Sequence, residues 1–143
     1  MKELSVVVKE YTSFSELIKS IDTELNTLKQ QLAEYLRKLE DVRAKSEQER
    51  KLKELLKSLT GEEQAGKGKV VELKDLKLII NPDAEQEASV MEEIIDRINR
   101  TIQSLQSMRK ALEPLSGIEV EAKILVVYKE GVPSTIMLKL AGI

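Results

Sequence analysis

The chain has 143 residues, a formal net charge of −2, and neither cysteine nor histidine. This length suits one domain, and the missing residue types exclude disulfides, zinc sites of the Cys/His type and catalytic triads with an imidazole base. Aromatic residues make up only 3% of the chain, so we expect a core of Leu, Ile and Val such as coiled coils use.

Charged residues make up 34% of the chain and apolar residues 41%, which is an ordinary balance for a soluble protein. No run of about 18 apolar residues occurs, and no apolar run follows a basic start at the N-terminus. We therefore expect a cytoplasmic protein that has no contact with a membrane.

The first predicted elements are a short strand and a long helix. Leu4, Val6 and Val8 alternate as in a strand, and Ser13 with Glu16 forms a capping box that begins a helix predicted over residues 13–60. Its apolar residues alternate spacings of four and three, which is the heptad repeat of a coiled coil. They are Phe14, Ile18, Ile21, Leu25, Leu28, Leu32, Tyr35, Leu39 and Val42.

The repeat stops where the next positions of the same register, Ser46, Glu49 and Lys53, are polar. Apolar residues return in a shifted phase, and the four are Leu52, Leu55, Leu56 and Leu59. Such a shift occurs either at a stammer within a continuous helix or at the point where a helix leaves its partner.

The glycine-rich segment after this helix reads G-x-x-x-x-G-K from Gly61 to Lys67, seven of the eight positions of a phosphate-binding loop. Such a loop leaves a buried strand, enters a helix and carries a hydroxyl after the lysine for magnesium. Here a helix precedes the loop, a strand follows it, and Gly68 replaces the hydroxyl. We interpret the segment as a connection, with Gly61 in the left-handed position that ends the helix.

Residues 61–82 are predicted to hold this loop and a β element. The alternating residues Val71, Leu73, Leu76, Leu78 and Ile80 indicate either one bulged strand or a tight hairpin. The dipeptide Lys74-Asp75 is a poor turn, so the pattern leaves both arrangements open.

A second helix is predicted over residues 83–116, beginning after Asn81-Pro82-Asp83 and ending near Pro114 and Gly117. Its seam has one exception, Arg109, among the apolar residues Ala84, Ala88, Met91, Ile95, Ile98, Ile102, Leu105 and Leu112.

The two seams, 14 to 42 and 84 to 112, have equal length, which favours an antiparallel hairpin within one chain. In that hairpin Phe14 lies near Leu112 and Val42 near Ala84. Two separate coils between chains satisfy the same pattern.

The C-terminal segment is predicted to form a β-hairpin. Its first strand alternates over Ile118, Val120, Ala122, Ile124, Val126 and Tyr128; the sequence KEGVPS is the turn; and Ile136, Leu138 and Leu140 alternate in the second strand. With the N-terminal strand, residues 1–12 and 117–143 make a small antiparallel sheet at the base of the helices.

The predicted fold is therefore α+β. A long antiparallel two-helix coiled-coil hairpin carries the base sheet at one end and a minor β element at its tip, in a single elongated domain over residues 1–143.

The base sheet suggests how the protein associates. Val7, Leu125, Val127 and Met137 are expected on the face opposite the helices or on an edge, where apolar side chains and unpaired strands attract a partner. We expect a homo-oligomer, a dimer or larger, and favour a non-enzymatic adaptor that scaffolds a protein complex.

Two other functions fit the pattern. A helical hairpin with β-structure in its connection is similar in layout to the prefoldin chaperones, and this resemblance implies a holdase that binds unfolded clients through Leu52, Leu55, Leu56 and Leu59. Residues 43–80 also hold ten basic and seven acidic residues, a bias that suits a nucleic-acid accessory protein. Its candidate contacts are Arg50, Lys51, Lys53, Lys57, Lys67 and Lys69, without an aromatic residue for base stacking.

We expect no catalytic residue, cofactor, metal or small-molecule substrate. Glu92, Glu93 and Asp96 cluster on the second helix, but a di-iron bundle needs Glu-x-x-His pairs. These acids are interpreted as a solvated helix face.

Overall fold

The computed structural model describes residues 6–61, 68–118 and 122–140 and is α+β, with two helices packed together and small antiparallel sheets. The prediction of this coarser fold is confirmed. The predicted positions Leu4, Lys67 and Val120 lie outside the described residues. The elements in chain order are β1 (Val6–Tyr11), α1 (Phe14–Thr60), β2 (Lys69–Leu73), β3 (Leu76–Ile80), α2 (Ala84–Leu112), a 3₁₀ turn (Glu113–Leu115), β4 (Ala122–Lys129) and β5 (Val132–Leu140).

The chain divides into two compact units. The terminal unit comprises residues 1–31 and 97–143, and the central unit comprises residues 32–96. Each helix contributes one part to the terminal unit and the other to the central unit.

In the terminal unit, β1, β4 and β5 form an antiparallel sheet in the order β1-β4-β5. Its inner face carries Ile124 and Val126, which are fully buried, while Leu125 and Val127 between them are half-buried. This is the alternation that the sequence predicts for a strand with one buried face. The buried apolar residues of the unit are Tyr11, Phe14, Leu17, Ile18, Ile21, Leu25, Leu28, Ile98, Ile102, Leu105, Leu112, Ile124 and Val126.

The turn between β4 and β5 is shorter than the predicted KEGVPS segment. Glu130 (φ 52°) and Gly131 (φ 79°) form a two-residue turn with both φ angles positive, the geometry that suits the twist of paired strands. Val132 therefore already belongs to β5. The register shifts beside Val127, whose carbonyl accepts a hydrogen bond from the Ser134 hydroxyl at 3.1 Å.

The capping of α1 differs in detail from the predicted capping box. The Ser13 hydroxyl accepts the Glu16 N–H at 3.1 Å, as expected. The Glu16 carboxylate, however, accepts the hydroxyl of Thr12 at 2.6 Å and its N–H at 3.0 Å rather than the N–H of Ser13. These hydrogen bonds lower the pKa of Glu16.

Helix α2 ends four residues before the predicted boundary of 116, and a 3₁₀ turn follows it. Pro114 has no N–H and disfavours helical backbone in the residue before it, so the regular hydrogen bonding stops there. Ile118, which the pattern assigns to a strand, lies instead after this turn and donates its N–H to the Leu115 carbonyl at 3.1 Å.

The central unit is built around a smaller apolar cluster. Leu39, Ala88 and Ile95 are its buried members. The half-buried residues packed against them are Leu32, Tyr35, Val42 and Met91. Both predicted seams therefore supply this core.

The β element of the central unit is a hairpin, which answers the question that the sequence leaves open. Strand β2 pairs with β3 in antiparallel register from Lys69 opposite Ile80 to Leu73 opposite Leu76. Lys74 takes a φ of 53° in the turn, a conformation that L-residues adopt at a steric cost, which is why the dipeptide did not indicate it.

The end of α1 confirms the predicted role of Gly61. This residue has a φ of 72° and donates its N–H to the Lys57 carbonyl at 2.7 Å, as in a left-handed C-cap. The described segments on either side of residues 62–67 are a helix before and a strand after, the reverse of a phosphate-binding loop.

Candidate interaction surfaces

The outer face of the terminal sheet carries an apolar patch. The register places Val8 opposite Val127, and Leu125 opposite Met137. Val8 and Met137 are exposed, and Leu125 and Val127 are half-buried. Three of the four predicted interface residues of the sheet thus lie together on this face, and Val8, which is not among the predicted residues, completes the patch.

The fourth predicted residue, Val7, lies elsewhere on the sheet. It pairs with Tyr128 and therefore shares the inner face with Ile124 and Val126. Because β1 is an edge strand, Val7 is nevertheless exposed.

Strand β5 is an edge strand that exposes apolar side chains on both faces. Met137 on its outer face is 43% exposed, and Leu138 on its inner face is 45% exposed. Leu140 is exposed on the same side as Leu138. The strand order leaves the second edge of β5 without a paired strand among the described residues, so its backbone is open to a further strand.

Two tyrosines tie the inner face of the sheet to α1. The hydroxyls of Tyr11 and Tyr128 lie 2.6 Å apart, and the Tyr11 hydroxyl is 3.2 Å from that of Ser20. Burial, and then the hydrogen bond with Tyr11, raises the pKa of Tyr128 far above its ordinary value. The Tyr128 hydroxyl therefore stays neutral at physiological pH, and its hydrogen bond with Tyr11 has a structural role.

Arg109, the exception in the second seam, has a partner on the other helix. Its Nε donates to Asp22 Oδ1 at 2.5 Å, and its second guanidinium nitrogen contacts Asp22 Oδ2 at 3.3 Å. The Asp22 carboxylate raises the pKa of Arg109. The seam is therefore polar at one level because an acid on α1 faces a base on α2.

We expect Asp22→Ala and Arg109→Ala each to lower the melting temperature by roughly a few degrees, because each removes the same bidentate pair. The double variant should be little less stable than either single variant, and 0.5 M salt should reduce the effect. Thermal unfolding followed by circular dichroism measures this cycle. Additive losses in the two variants would show that the pair does not couple the helices.

Beyond the residue that meets the start of α2, helix α1 continues with leucines that are mostly exposed. The N–H of Ala84 at the first turn of α2 donates to the Glu49 carboxylate at 3.3 Å, an anion at a helix N-terminus. This contact places Ala84 beside Glu49, seven residues beyond the predicted neighbour Val42. Past Glu49 the helix is unbroken to Thr60.

The four predicted leucines occupy this part of α1. Leu52, Leu55 and Leu59 are exposed, Leu59 at 73%, and Leu56 is half-buried. Their spacings of three, one and three residues place them on one side of the helix. We name this surface the leucine stripe.

The predicted polyanion contacts are only partly open to a nucleic acid. Arg50 pairs with Glu47 at 2.5 Å and with Glu54 at 3.7 Å. Lys53 is half-buried, whereas Lys51 and Lys69 are exposed. Lys67 lies outside the described residues, so the structure does not assemble the six predicted residues into one basic site.

Gly68 has a structural role that the phosphate-loop comparison did not reveal. Its N–H donates to Gln86 Oε1 at 2.8 Å, and its carbonyl accepts Gln86 Nε2 at 2.9 Å. Gln86 Oε1 also accepts the Asp83 N–H at 3.0 Å, while Asp83 accepts the Gln86 N–H at 2.8 Å, which is a capping box. One glutamine thus caps α2 and anchors the start of β2.

The hairpin held by this anchor is itself largely uncovered. The register puts an apolar row on one face, whose exposed members are Leu73, Leu76, Leu78 and Ile80. A two-stranded hairpin is only marginally stable by itself. We therefore expect the hydrogen bonds between Gly68 and Gln86 to stabilise this hairpin.

The described carboxylates were predicted to form a solvated helix face. Among the described residues, no group of three or more Asp, Glu, His or Cys side chains is placed to bind a metal ion. Glu92, one of the three clustered acids, pairs with Arg43 on α1 at 3.0 Å.

Comparison of the chain with protein-family models, with curated proteins and with solved structures finds no match in any of the three. None of the described helices is both long and apolar enough to span a membrane.

Proposed function

We propose that this protein is a non-enzymatic coiled-coil adaptor that self-associates through β5 and offers the central unit to another protein. The observation that carries the proposal is the open edge of β5, where Met137 on one face and Leu138 on the other are both exposed. Apolar side chains on both faces of an edge strand are buried together when a further strand pairs with it.

The proposed occupant of this edge is β5 of a second copy. Antiparallel self-pairing centred on Met137 puts Ile136 opposite Leu138 of the second copy, and Thr135 opposite its Lys139. No like charges then face each other, and the inner-face apolar row continues across the junction. Self-pairing of this kind is isologous and closes as a dimer.

Contacts between α1 and α2 support an antiparallel coiled-coil hairpin as the carrier of these surfaces. In the terminal unit, Ser15 hydrogen-bonds the Ser116 carbonyl, and Asp22 pairs with Arg109. In the central unit the Arg43–Glu92 pair and the contact of Glu49 with Ala84 show the same order. Residue numbers rise along α1 as they fall along α2, which is the order of an antiparallel seam.

Light scattering on a size-exclusion column tests the dimer. We expect the wild-type chain to elute with twice the chain mass, and Met137→Lys to elute as a monomer, because residue 137 then faces a second lysine across the two-fold axis. Val8→Lys, which adds the same charge to the same face on β1, is the matched control and should remain a dimer.

Mixing two variants tests whether the monomer results from lost β5 pairing or only from a less apolar surface. Met137→Glu alone should also be monomeric, but an equimolar mixture with Met137→Lys should form a dimer, because opposite charges then meet at the centre. A monomeric wild type, or variants that do not dimerise when mixed, would overturn the assignment of β5.

The leucine stripe also favours a second candidate function, a holdase that binds unfolded clients. Exposed leucines near the end of a coiled helix suit transient apolar contacts. This function requires that the wild-type chain suppress the aggregation of a reduced, unfolding client and that Leu55→Ser with Leu59→Ser abolish the suppression.

A further inference from the structure

We propose that residues 50–60 of α1 bind an acidic amphipathic helix of a partner protein, which packs along the leucine stripe as an additional coiled-coil strand. This inference names the partner chemistry for the adaptor part of the proposed function and rests on that part. It does not depend on self-pairing of β5.

The contact between α1 and α2 ends before α1 does. Helix α2 begins at Ala84, whose N–H meets Glu49, yet α1 continues to Thr60 as a regular helix. Over these residues the leucine stripe keeps the three- and four-residue spacings of a seam. The stripe therefore has the pattern of a helix-binding surface without α2 opposite it.

Charged side chains lie on both sides of the leucine stripe. At about 100° per residue, Lys51 projects from one flank of the leucines, and Lys53 projects from the other. The ion-paired group of Glu47, Arg50 and Glu54 lies on the back of the helix. Within residues 50–60, each flank of the stripe therefore carries a lysine, and the one acid, Glu54, lies on the opposite side of the helix. Glu49, one turn before Lys53 on the same flank, already accepts the N–H of Ala84.

Basic flanks select the occupant. In a coiled coil, the residues beside the apolar seam pair with flanking residues of the other helix and decide which partner is accepted. A helix with glutamate or aspartate beside its own leucines matches Lys51 and Lys53. A second copy of the same segment would place lysines opposite lysines, so self-association at this site is disfavoured.

The residue types disfavour a membrane as the occupant. Helices that lie in a lipid interface use Trp or Phe beside Leu, and no aromatic residue occurs between positions 43 and 80. A surface of leucines alone is instead typical of helix-to-helix packing.

The probe is a fluorescent helical peptide about three heptads long, with leucine at the seam positions and glutamate at both flanking positions. Its control is the same peptide with lysine in place of glutamate. Fluorescence anisotropy with the full chain should show saturable binding of the acidic peptide, and binding of the basic peptide at least roughly ten-fold weaker. Raising the salt concentration should narrow this difference.

Variants locate the site. Leu55→Ser with Leu59→Ser should weaken acidic-peptide binding by roughly ten-fold or more, because both leucines are seam residues that are exposed in the free chain. Leu36→Ser, at a 44% exposed leucine of the same helix, is the matched control and should bind as the wild type does. Lys51→Glu with Lys53→Glu should reverse the preference in favour of the basic peptide.

Three results would overturn the inference. They are equal binding of the two peptides, a Leu36→Ser loss as large as that of the stripe variant, and binding to vesicles of anionic phospholipid without binding to either peptide. Repeating the titration with Met137→Lys separates the two proposals. If this variant is a monomer that still binds the acidic peptide, then peptide binding at the stripe does not depend on β5 pairing.

Discussion

Leu17→Ala is expected to lower the free energy of unfolding by about 3 kcal/mol, within the range for leucine truncation in a tightly packed core. Leu17 has no exposed surface, so the removed methyl groups leave a cavity. The better helix propensity of alanine recovers only a few tenths of a kcal/mol. Such a loss is a large part of the roughly 5–15 kcal/mol that stabilises a typical domain.

Urea unfolding followed by circular dichroism measures this loss. Leu36→Ala is the matched control, because the same side chain is removed from the same helix at a 44% exposed position, and its loss should stay below about 1 kcal/mol. A Leu17 variant as stable as the Leu36 variant would contradict the complete burial of Leu17.

Gly68→Ala is expected to lower the free energy of unfolding by about 1–3 kcal/mol, because the added methyl group has no space. A Cβ at this position would lie 2.6 Å from the Asn81 carbonyl oxygen, 2.6 Å from Gln86 Oε1 and 2.8 Å from Pro82 Cα. Two of these atoms belong to the backbone at the start of α2 and cannot move without disturbing the helix cap.

Amide hydrogen exchange distinguishes a local effect from a global one. Gly68→Ala should speed exchange in β2 and β3, since it displaces the anchor to Gln86, while exchange in β4 should change little. Gly117→Ala is the control, because a Cβ there meets no atom within 4 Å and should change the stability by less than about 0.5 kcal/mol. A neutral Gly68→Ala would contradict the close approach of β2 to α2.

Gln86→Ala provides an independent check on the same anchor. It removes the hydrogen bonds to Gly68 and to Asp83 together, so the hairpin and the first turn of α2 should loosen at once. In the double variant with Gly68→Ala, the loss in the free energy of unfolding should be smaller than the sum of the two single losses, because both changes disrupt the same contacts.

The periodic parts of the fold were accessible from the sequence because they depend on local spacing. Alternation predicted the buried row of Ile124 and Val126, and the three- and four-residue spacing predicted most of the helix residues in both apolar cores. Gly61 was predicted correctly because a left-handed C-cap is a local event.

The sequence did not indicate the features that a distant segment decides. Leu17 falls between two seam positions and is buried because the first turns of α1 lie in the unit that also holds the sheet. Val7 faces inward because β1 pairs with β4 in a register that β1 alone does not specify. Arg109 interrupts the apolar seam because Asp22, 87 positions away, is opposite it.

For the candidate surfaces, the sequence indicated the leucines and the apolar residues of the sheet but not which of them form a surface. By itself the sequence determined the helices, the strands and the apolar residues available to a core, because side-chain periodicity and capping act within a few residues. Only the tertiary structure decided that β5 is an open edge in the part of the chain that the structure describes, that Gly68 packs against Gln86, and that the leucine stripe lies beyond the start of α2. Pairing order and helix register join segments far apart in the chain, and local spacing does not encode them.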